Sequence, residues 1–194
     1  MVQSINIAGL RTAWTLLARP SLLMPDIAVS DIRSLSWTKL RSRGVRYLVF
    51  DKDNCLTAPY ANHIHPEYSQ AWAECLREFP DRVLVVSNSA GTHDDPGFRA
   101  AHEVEAALGV PVLRHREKKP RCGQEILRKL GARAEEVAVV GDRLATDVAM
   151  ANMYGMTSVW VQNIVTRRGD NSVAAALRDV EHVVYRIAKR MQRS

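Results

Sequence analysis

The chain has few cysteines and no long uncharged apolar run. Its three cysteines, Cys55, Cys75 and Cys122, form no CxxC pair, so neither a disulfide framework nor a zinc site is expected, and a reducing compartment is favoured. No uncharged apolar stretch is as long as the about 18 residues that a membrane-spanning helix needs. Aromatic residues make up only 6% of the 194 residues, which disfavours RNA recognition by base stacking. These absences leave a globular protein with room for one sizeable core.

Acidic residues are absent from residues 1–25, and the whole chain carries a net charge of +6. This balance favours an anionic partner, whether nucleic acid, an anionic membrane or a phosphorylated substrate. Four apolar residues near the start recur at the spacing of one helix face: Ile7, Leu10, Trp14 and Leu17. We therefore predict that residues 1–24 form an amphipathic segment for membrane association or mitochondrial targeting. The alternative is packing on the domain or on a second subunit of a homo-oligomer.

Short apolar runs alternate with helical patterns along residues 25–194. Strands are predicted at 46–50, 82–86, 110–113, 137–140 and 157–161, with helices at 26–43, 66–79, 98–108, 122–130 and 172–191. Gly44 is placed to end the first of these helices. The alternation predicts a single α/β domain, in which a parallel sheet has helices on both faces. In the last helix the predicted inward residues are Val173, Leu177, Val180, Val184 and Ile187.

Two aspartates follow the first predicted strand directly, in the stretch FDKDNCLTAPY at residues 50–60. Carboxylates this close repel each other, so a metal ion or a proton is expected to offset their charge. Asp51, at the rigid strand end, is placed to attack phosphorus and form an aspartyl-phosphate. Asp53 is placed to protonate the leaving oxygen and then to activate water. Cys55 is interpreted as a buried loop residue, because nearby carboxylates disfavour a thiolate.

The second predicted strand ends in Ser87 and Asn88, and a basic stretch contains Lys118 and Lys119. A hydroxyl with neighbouring backbone N–H groups can hold a phosphoryl oxygen, and the Asn88 amide can hold substrate or shape the loop. An ammonium beside the transferring phosphoryl group offsets its charge. Because ligands of open α/β sheets bind at the carboxyl ends of strands, we expect these groups to converge with Asp51.

The third strong strand leads into GDRLATD, with Asp142 directly after it and Asp147 five positions on. Mg²⁺ prefers oxygen ligands and keeps several waters. The side chains of Asp51 and Asp142 and the backbone carbonyl of Asp53 are the expected ligands. Asp147 is expected to orient them or to bind the ion through water.

These elements, in this order, resemble the motifs of the haloacid dehalogenase (HAD) superfamily of phosphatases. The matching stretches are DKDNCLT at 51–57, Ser87 in VVSNS, Lys119 before Pro120 and GDRLATD at 141–147. The resemblance implies a HAD-like Rossmannoid three-layer fold and selects Lys119, rather than Lys118, as the phosphate-binding lysine. About thirty residues separate the successive motifs, which is too few for a large cap domain.

The segment from Met24 to Asn163 is more narrowly similar to the mitochondrial phosphatidylglycerophosphate (PGP) phosphatases, within HAD subfamily IIIA. Asn54, Pro59 and the stretch SNSAG at 87–91 carry this similarity. It implies Mg²⁺-dependent conversion of PGP to phosphatidylglycerol in cardiolipin synthesis, by a peripheral protein on the matrix side of the mitochondrial inner membrane. Five further residues are candidate substrate or lipid contacts, with a solvated basic turn as the alternative: Arg114, His115, Arg116, Lys118 and Arg143.

Two other functions fit the same residues. A capless phosphatase with an open site can act on phosphoprotein or on nucleic-acid ends, although nucleic acid is not the expected partner. A non-catalytic binding protein can also be built on this fold, but the presence of every motif side chain disfavours it. The substrate preference and the dependence on Mg²⁺ separate these alternatives.

Overall fold

The computed structural model describes residues 19–170 and 172–191. Within them five parallel strands form one sheet in the order β1-β5-β4-β2-β3. The predicted α/β class with a parallel sheet is confirmed. The strands are β1 Ile27–Val29, β2 Tyr47–Phe50, β3 Val83–Val85, β4 Val137–Gly141 and β5 Thr157–Val161.

Helices cover both faces of the sheet, because alternate residues of each strand point to opposite sides. On one side Leu48 and Phe50 of β2 pack in a core with the first three helices, and on the other Val49 packs with the next two. The helices are α1 Trp37–Ser42, α2 Ser69–Glu78, α3 Arg99–Leu108, α4 Gly123–Leu130, α5 Ala149–Met153 and α6 Ser172–Met191. A short π-helical turn, Leu144–Val148, precedes α5. The sequence had not predicted this turn or α5.

The helix predicted over residues 26–43 is wrong in its first half, which contains strand β1. Residues Ile27–Val29 pair in parallel with β5 at the edge of the sheet. Asp26 anchors this edge, since its Oδ2 accepts hydrogen bonds from the backbone N–H and the hydroxyl of Ser158, at 2.8 and 2.9 Å. Only α1 is α-helical here, and Gly44 follows its end with the positive φ expected of a helix terminator.

The predicted strand at 110–113 is reduced to a single bridge beside β3. Val112 pairs with Val85, and the backbone N–H of Leu113 donates to the Val85 carbonyl at 2.8 Å. Pro111 lacks an N–H group and cannot extend the ladder.

The inward face predicted for α6 is also wrong. Leu177, Val180, Val184 and Ile187 are exposed, whereas Arg178, Glu181 and Tyr185 are buried. The side chain of Val173 lies outside the described part. The apolar period misled the prediction because the inner face of α6 is held by ion pairs as well as by the Tyr185 ring.

The amphipathic segment predicted over residues 1–24 lies largely outside the described residues. Its described end, from Arg19 onward, is part of the folded domain. Asn152 Nδ2 donates to the carbonyl oxygens of Leu22 and Met24, at 2.9 Å each, and Leu23 and Met24 pack against a cluster that contains Trp160. In the described part of the chain, no helix is both long and apolar enough to cross a membrane.

Candidate active site

A cavity of about 410 Å³ lies at the carboxyl ends of the central strands. Asp51 directly follows β2, Ser87 comes two positions after β3, and Asp142 directly follows β4. These three side chains line the cavity together with Asp53, Asn88, Lys119 and Arg143. The strand ends thus bring together residues that are far apart in the sequence, as expected for a parallel α/β sheet.

Lys119 joins three of the sequence motifs through its ammonium group. Its Nζ lies 2.6 Å from Asp51 Oδ1 and 2.7 Å from Asp147 Oδ1. Burial disfavours the charged form of Lys119, but the Asp147 and Asp51 carboxylates outweigh it and raise the pKa of Lys119 above its ordinary value. The ammonium therefore stays charged in a buried position beside the expected nucleophile.

The acidic groups are concentrated beyond what one lysine neutralises. Carboxylate oxygens of Asp51, Asp142 and Asp147 all lie within 4.8 Å of one another. Burial raises the pKa of Asp147 to about 6. Burial, followed by the charges of Asp51 and Asp147, raises the pKa of Asp142 well above its ordinary value. A set of three close carboxylate oxygens fits a hard divalent cation, which would relieve this repulsion. The backbone carbonyl of Asp53 stays a predicted ligand.

Gly141 makes room for the Asp147 carboxylate. A β-carbon on residue 141 would lie 2.3 Å from Asp147 Cγ, well inside contact distance. Asp147 itself is buried beneath the cavity and accepts a hydrogen bond from the backbone N–H of Arg143 at 3.2 Å. The glycine at the end of β4 therefore allows Asp147 to reach both Lys119 and the carboxylate cluster.

Asp53 is held by a lysine that the sequence analysis did not single out. Its Oδ1 accepts hydrogen bonds from Lys52 Nζ at 2.6 Å and from the backbone N–H of Tyr60 at 2.8 Å. Lys52 is buried and also donates to the carbonyl of Ala61 at 2.8 Å. The loop after β2 thus folds back on itself and fixes Asp53 at the cavity wall.

The loop after β3 presents a hydroxyl whose oxygen is already occupied as an acceptor. Ser87 Oγ accepts from the backbone N–H groups of Ser89 and Ala90, at 3.2 and 3.3 Å. Its own hydrogen is then directed either to Ser89 Oγ, at 3.0 Å, or to a ligand oxygen. Asn88 Oδ1 accepts from the backbone N–H of Lys119 at 2.9 Å, so Asn88 ties this loop to the lysine.

His115 packs against the loop after β3 and does not line the cavity. Its Nε2 lies 2.9 Å from the Ser87 carbonyl oxygen, and its Nδ1 lies 2.7 Å from the Glu117 carbonyl oxygen. The ring is buried. The expectation that His115 contacts substrate is therefore replaced by a role in holding Ser87 in place.

Three other basic residues expected near the substrate also lie outside the cavity wall. Arg114 makes a bidentate ion pair with Glu105, in which Nη2 donates to Oε2 at 2.8 Å. Lys118 pairs with Asp94 at 2.5 Å. The backbone N–H of Arg116 donates to the Glu125 carboxylate. Among the candidate contacts, only Arg143 lines the cavity.

Helix α6 contributes two buried charged residues that the sequence analysis missed. Arg178 Nε lies 2.7 Å from Asp142 Oδ2, and its Nη1 lies 2.7 Å from Asp170 Oδ2. Glu181 accepts from the backbone N–H groups of Leu144 and Ala145, at 3.0 and 3.2 Å, and pairs with Arg143 at 3.2 Å. The usable signal was the spacing of Arg178 and Glu181, which places both on one face, opposite the aliphatic residues.

Asn54 links the loop after β2 to the segment before α6. It has a positive φ, and its Oδ1 accepts from the backbone N–H of Thr166 at 3.1 Å. Among the described residues, its Nδ2 is the buried side-chain nitrogen without a hydrogen-bond partner. Asn54 lines the cavity, so this donor is available beside the expected phosphate site.

Cys55 is a packing residue, as interpreted from the sequence. Burial, and then the charge of Asp51, raises the pKa of the Cys55 thiol well above its ordinary value. Its Sγ donates to the Val140 carbonyl at 3.6 Å. A thiolate nucleophile is therefore disfavoured at this position.

Comparison with known proteins identifies the family that this chain resembles. The profile of a family described as mitochondrial PGP phosphatase matches residues 7–166. Phosphatidylglycerophosphate phosphatase 1, chloroplastic, of Chlamydomonas reinhardtii is 41% identical over 187 residues, which are 95% of this chain and 70% of that protein. The mitochondrial phosphatidylglycerophosphatase GEP4 of Saccharomyces cerevisiae is 39% identical over 165 residues, 82% of this chain and 88% of that protein.

The fold is shared with a more distant solved structure. An uncharacterized protein from Listeria monocytogenes serotype 4b superposes with a TM-score of 0.50 at 15% identity, over 75% of this chain and 99% of that chain. The profile match and the identities to the two relatives go further than the fold. The chain belongs to the mitochondrial PGP phosphatase family.

Proposed function

We propose that this protein is a Mg²⁺-dependent phosphomonoesterase that converts phosphatidylglycerophosphate to phosphatidylglycerol in cardiolipin biosynthesis. The observation that carries the proposal is the contact of one charged lysine, Lys119, with both Asp51 and Asp147 at the floor of the cavity. Two relatives named for this activity align over at least 82% of the chain. The site and the family support the same reaction.

The chemistry follows from two carboxylates with different surroundings. Asp51, beside Lys119, attacks the phosphorus atom, and the bond from phosphorus to the glycerol oxygen breaks. Asp53, which starts as the protonated acid, gives its proton to that oxygen, so phosphatidylglycerol leaves and a phosphoryl group stays on Asp51. The Asp53 carboxylate then takes a proton from water, and the water oxygen attacks the phosphorus. The bond from phosphorus to Asp51 breaks and inorganic phosphate leaves. Both carboxylates return to their starting states.

The phosphoryl oxygens are held by groups around Asp51. Lys119 supplies a full positive charge at the transferring group, where charge stabilisation contributes most to the rate. The Ser87 hydroxyl can donate to a phosphoryl oxygen because its own oxygen already accepts two backbone hydrogen bonds. Asn88 acts through Lys119, whose backbone it holds.

The carboxylates of Asp51, Asp142 and Asp147 would hold the divalent ion. When bound, Mg²⁺ supplies positive charge that neutralises the carboxylates and lets a phosphate dianion approach. Asp142 has two oxygens, so it can keep Arg178 on one and bind the cation with the other.

We further propose that the protein works as a peripheral protein on the matrix side of the mitochondrial inner membrane. The net charge of +6 and the acid-free N-terminal residues support attraction to an anionic bilayer. The relative from Saccharomyces cerevisiae is named as mitochondrial, and the one from Chlamydomonas reinhardtii as chloroplastic. Residues 1–24 are the proposed contact with this membrane, and a second subunit is the alternative partner for the same segment.

The substrate is tested by comparing phosphate release from three compounds side by side. Phosphate release is measured from PGP, a phosphopeptide and a 3′-phosphorylated oligonucleotide, with and without Mg²⁺. The expected result is Mg²⁺-dependent release from PGP that exceeds release from the other two. Faster release from the phosphopeptide or the oligonucleotide would replace the lipid substrate, and hydrolysis of none of them would favour a binding protein.

A further inference from the structure

Helix α6 has an exposed row of aliphatic side chains, which we call the α6 stripe. The exposed fractions range from 38% for Val184 to 58% for Val180. At 3.6 residues per turn the members fall within one side of the helix. The stripe consists of Leu177, Val180, Val183, Val184 and Ile187.

The stripe lies opposite an inner face that is largely charged. Arg178 and Glu181 are buried against the active site, next to the buried ring of Tyr185. An ordinary surface helix has the reverse arrangement, with aliphatic residues inside and charges outside. Since the inner face is already packed, the stripe is left for a partner outside the described fold.

The stripe begins at the mouth of the active-site cavity. Leu177 belongs to the stripe and also lines the cavity, and the next residue, Arg178, reaches Asp142 inside it. Tyr60, which is 71% exposed, lines the same cavity. A partner seated on the stripe therefore lies beside the mouth of the cavity.

Basic residues border the stripe. Arg186 and Arg190 follow Val183 by three and seven positions, so both lie along its edge on the helix surface. Both are exposed. The exposed acid of the helix, Asp179, is paired with Arg167 at 2.5 Å. The border is therefore positive, as in helices that lie in the interface of an anionic membrane.

We propose that the α6 stripe docks into the headgroup region of an anionic phospholipid bilayer and sets the cavity mouth against it. This rests on the proposed function, because a phospholipid monoester can then place its headgroup in the cavity while its chains stay in the membrane. Residues 1–18 carry Arg11 as their one charged side chain, and a second copy carries the same positive border. Neither complements this positive border as an anionic surface does.

The test uses the full chain with two polar substitutions away from the cavity, Val180→Gln together with Val184→Gln. The controls are Val180→Leu with Val184→Leu, which keeps the stripe apolar, and Met153→Gln at an exposed apolar residue on α5. Binding is measured by co-sedimentation with vesicles of phosphatidylcholine, with and without phosphatidylglycerol. Hydrolysis is measured on PGP in vesicles and on a short-chain PGP dissolved as monomers.

The glutamine pair is expected to weaken binding to phosphatidylglycerol vesicles and hydrolysis of vesicle PGP by about tenfold or more, since it removes two exposed valines that would become buried when the stripe docks. Hydrolysis of the short-chain substrate and the melting temperature stay unchanged. Both controls behave as the wild type. Weaker binding of the wild type to pure phosphatidylcholine is also expected.

Unchanged vesicle binding by the glutamine pair would overturn the proposal. So would a lower melting temperature, or a wild-type dimer in sedimentation that the glutamine pair dissociates, because the stripe would then be covered by the protein itself. If no variant hydrolyses either lipid, the proposed function fails, while the binding measurement still decides whether the stripe docks.

Discussion

Arg178 on the last helix and Asp142 at the end of β4 form a buried ion pair, with Nε 2.7 Å from Oδ2. The pair connects a helix near the end of the chain to the expected metal site. It also explains why α6 turns a charged face inward. Arg178 is a positioning residue in this account, because it acts on the site through Asp142.

Replacing Arg178 with Gln is expected to lower the free energy of unfolding by about 3–5 kcal/mol in metal-free protein, because it leaves a buried carboxylate unpaired. Saturating Mg²⁺ should shrink this loss, since the ion would supply the missing positive charge. Urea unfolding with Mg²⁺ and with EDTA measures the difference. Arg186→Gln, an exposed change on the same helix, is the control and should change stability by no more than about 0.5 kcal/mol. An equal loss of unfolding free energy with and without Mg²⁺ would show that Arg178 does not act on the metal site.

Adding a methyl group at Gly141 is expected to displace Asp147. The new β-carbon would lie 2.3 Å from Asp147 Cγ, so Gly141→Ala should lower phosphatase activity by about a hundredfold, as for a misplaced catalytic group. Calorimetric titration with Mg²⁺ should show weaker binding. Gly131→Ala, where φ is +59° and nothing lies within 4 Å, should cost only about 1–2 kcal/mol of stability and leave activity intact. Wild-type Mg²⁺ affinity in Gly141→Ala would contradict the assigned position of Asp147.

The Glu105–Arg114 pair is expected to stabilise the fold without affecting the reaction. The Arg114 hydrogen bond lowers the pKa of Glu105 from 4.5 to about 2. A lowered pKa in the folded state gives stability that is present above the unfolded pKa and is lost as the pH falls from 4.5 towards about 2. Glu105→Gln should therefore cost about 1.5–3 kcal/mol at neutral pH and progressively less in acid.

Urea unfolding across this pH range tests the pair, with Glu103→Gln on the same helix as the control. Phosphate release by Glu105→Gln should match the wild type, because Arg114 lies outside the cavity wall. A stability loss that does not change with pH would show that packing, and not the charge of Glu105, is responsible.

Removal of residues 1–18 is expected to weaken binding to anionic vesicles while leaving the domain folded. The cut should stop before Arg19, because the carbonyls of Leu22 and Met24 accept hydrogen bonds from Asn152. Vesicle flotation measures binding, and the melting temperature checks the fold. Unchanged flotation would refute a membrane role for this segment and leave the α6 stripe as the proposed contact.

Part of the fold was predictable because strong local patterns agree with it. The apolar runs that became β2 to β5 are each bounded by turn or polar residues, and their alternation with helices fixed the class. The edge strand β1 was missed, because three residues are too few to show a strand period. Its pairing depends on Asp26 and Ser158, which are 132 positions apart.

The cavity residues were predictable where function requires a residue directly after a strand. Asp51 and Asp142 follow this rule, Ser87 lies one position further from its strand, and Lys119 precedes a proline in a recognisable motif. Arg178, Glu181 and Lys52 follow no such rule. They contact the site or its loops through tertiary packing, and the α6 pattern pointed to the aliphatic side of the helix instead of the charged one.

The central claim is that Asp51 carries the phosphoryl group during the reaction. The most direct measurement is acid quenching of the wild-type protein during turnover of PGP, followed by mass spectrometry of the peptide that contains residue 51. A phosphoryl group is expected on Asp51 in the wild type, and no such group is expected in Asp51→Asn. Asp81→Asn, an exposed change far from the cavity, should react like the wild type. Phosphate release by Asp51→Asn at the wild-type rate would contradict the account.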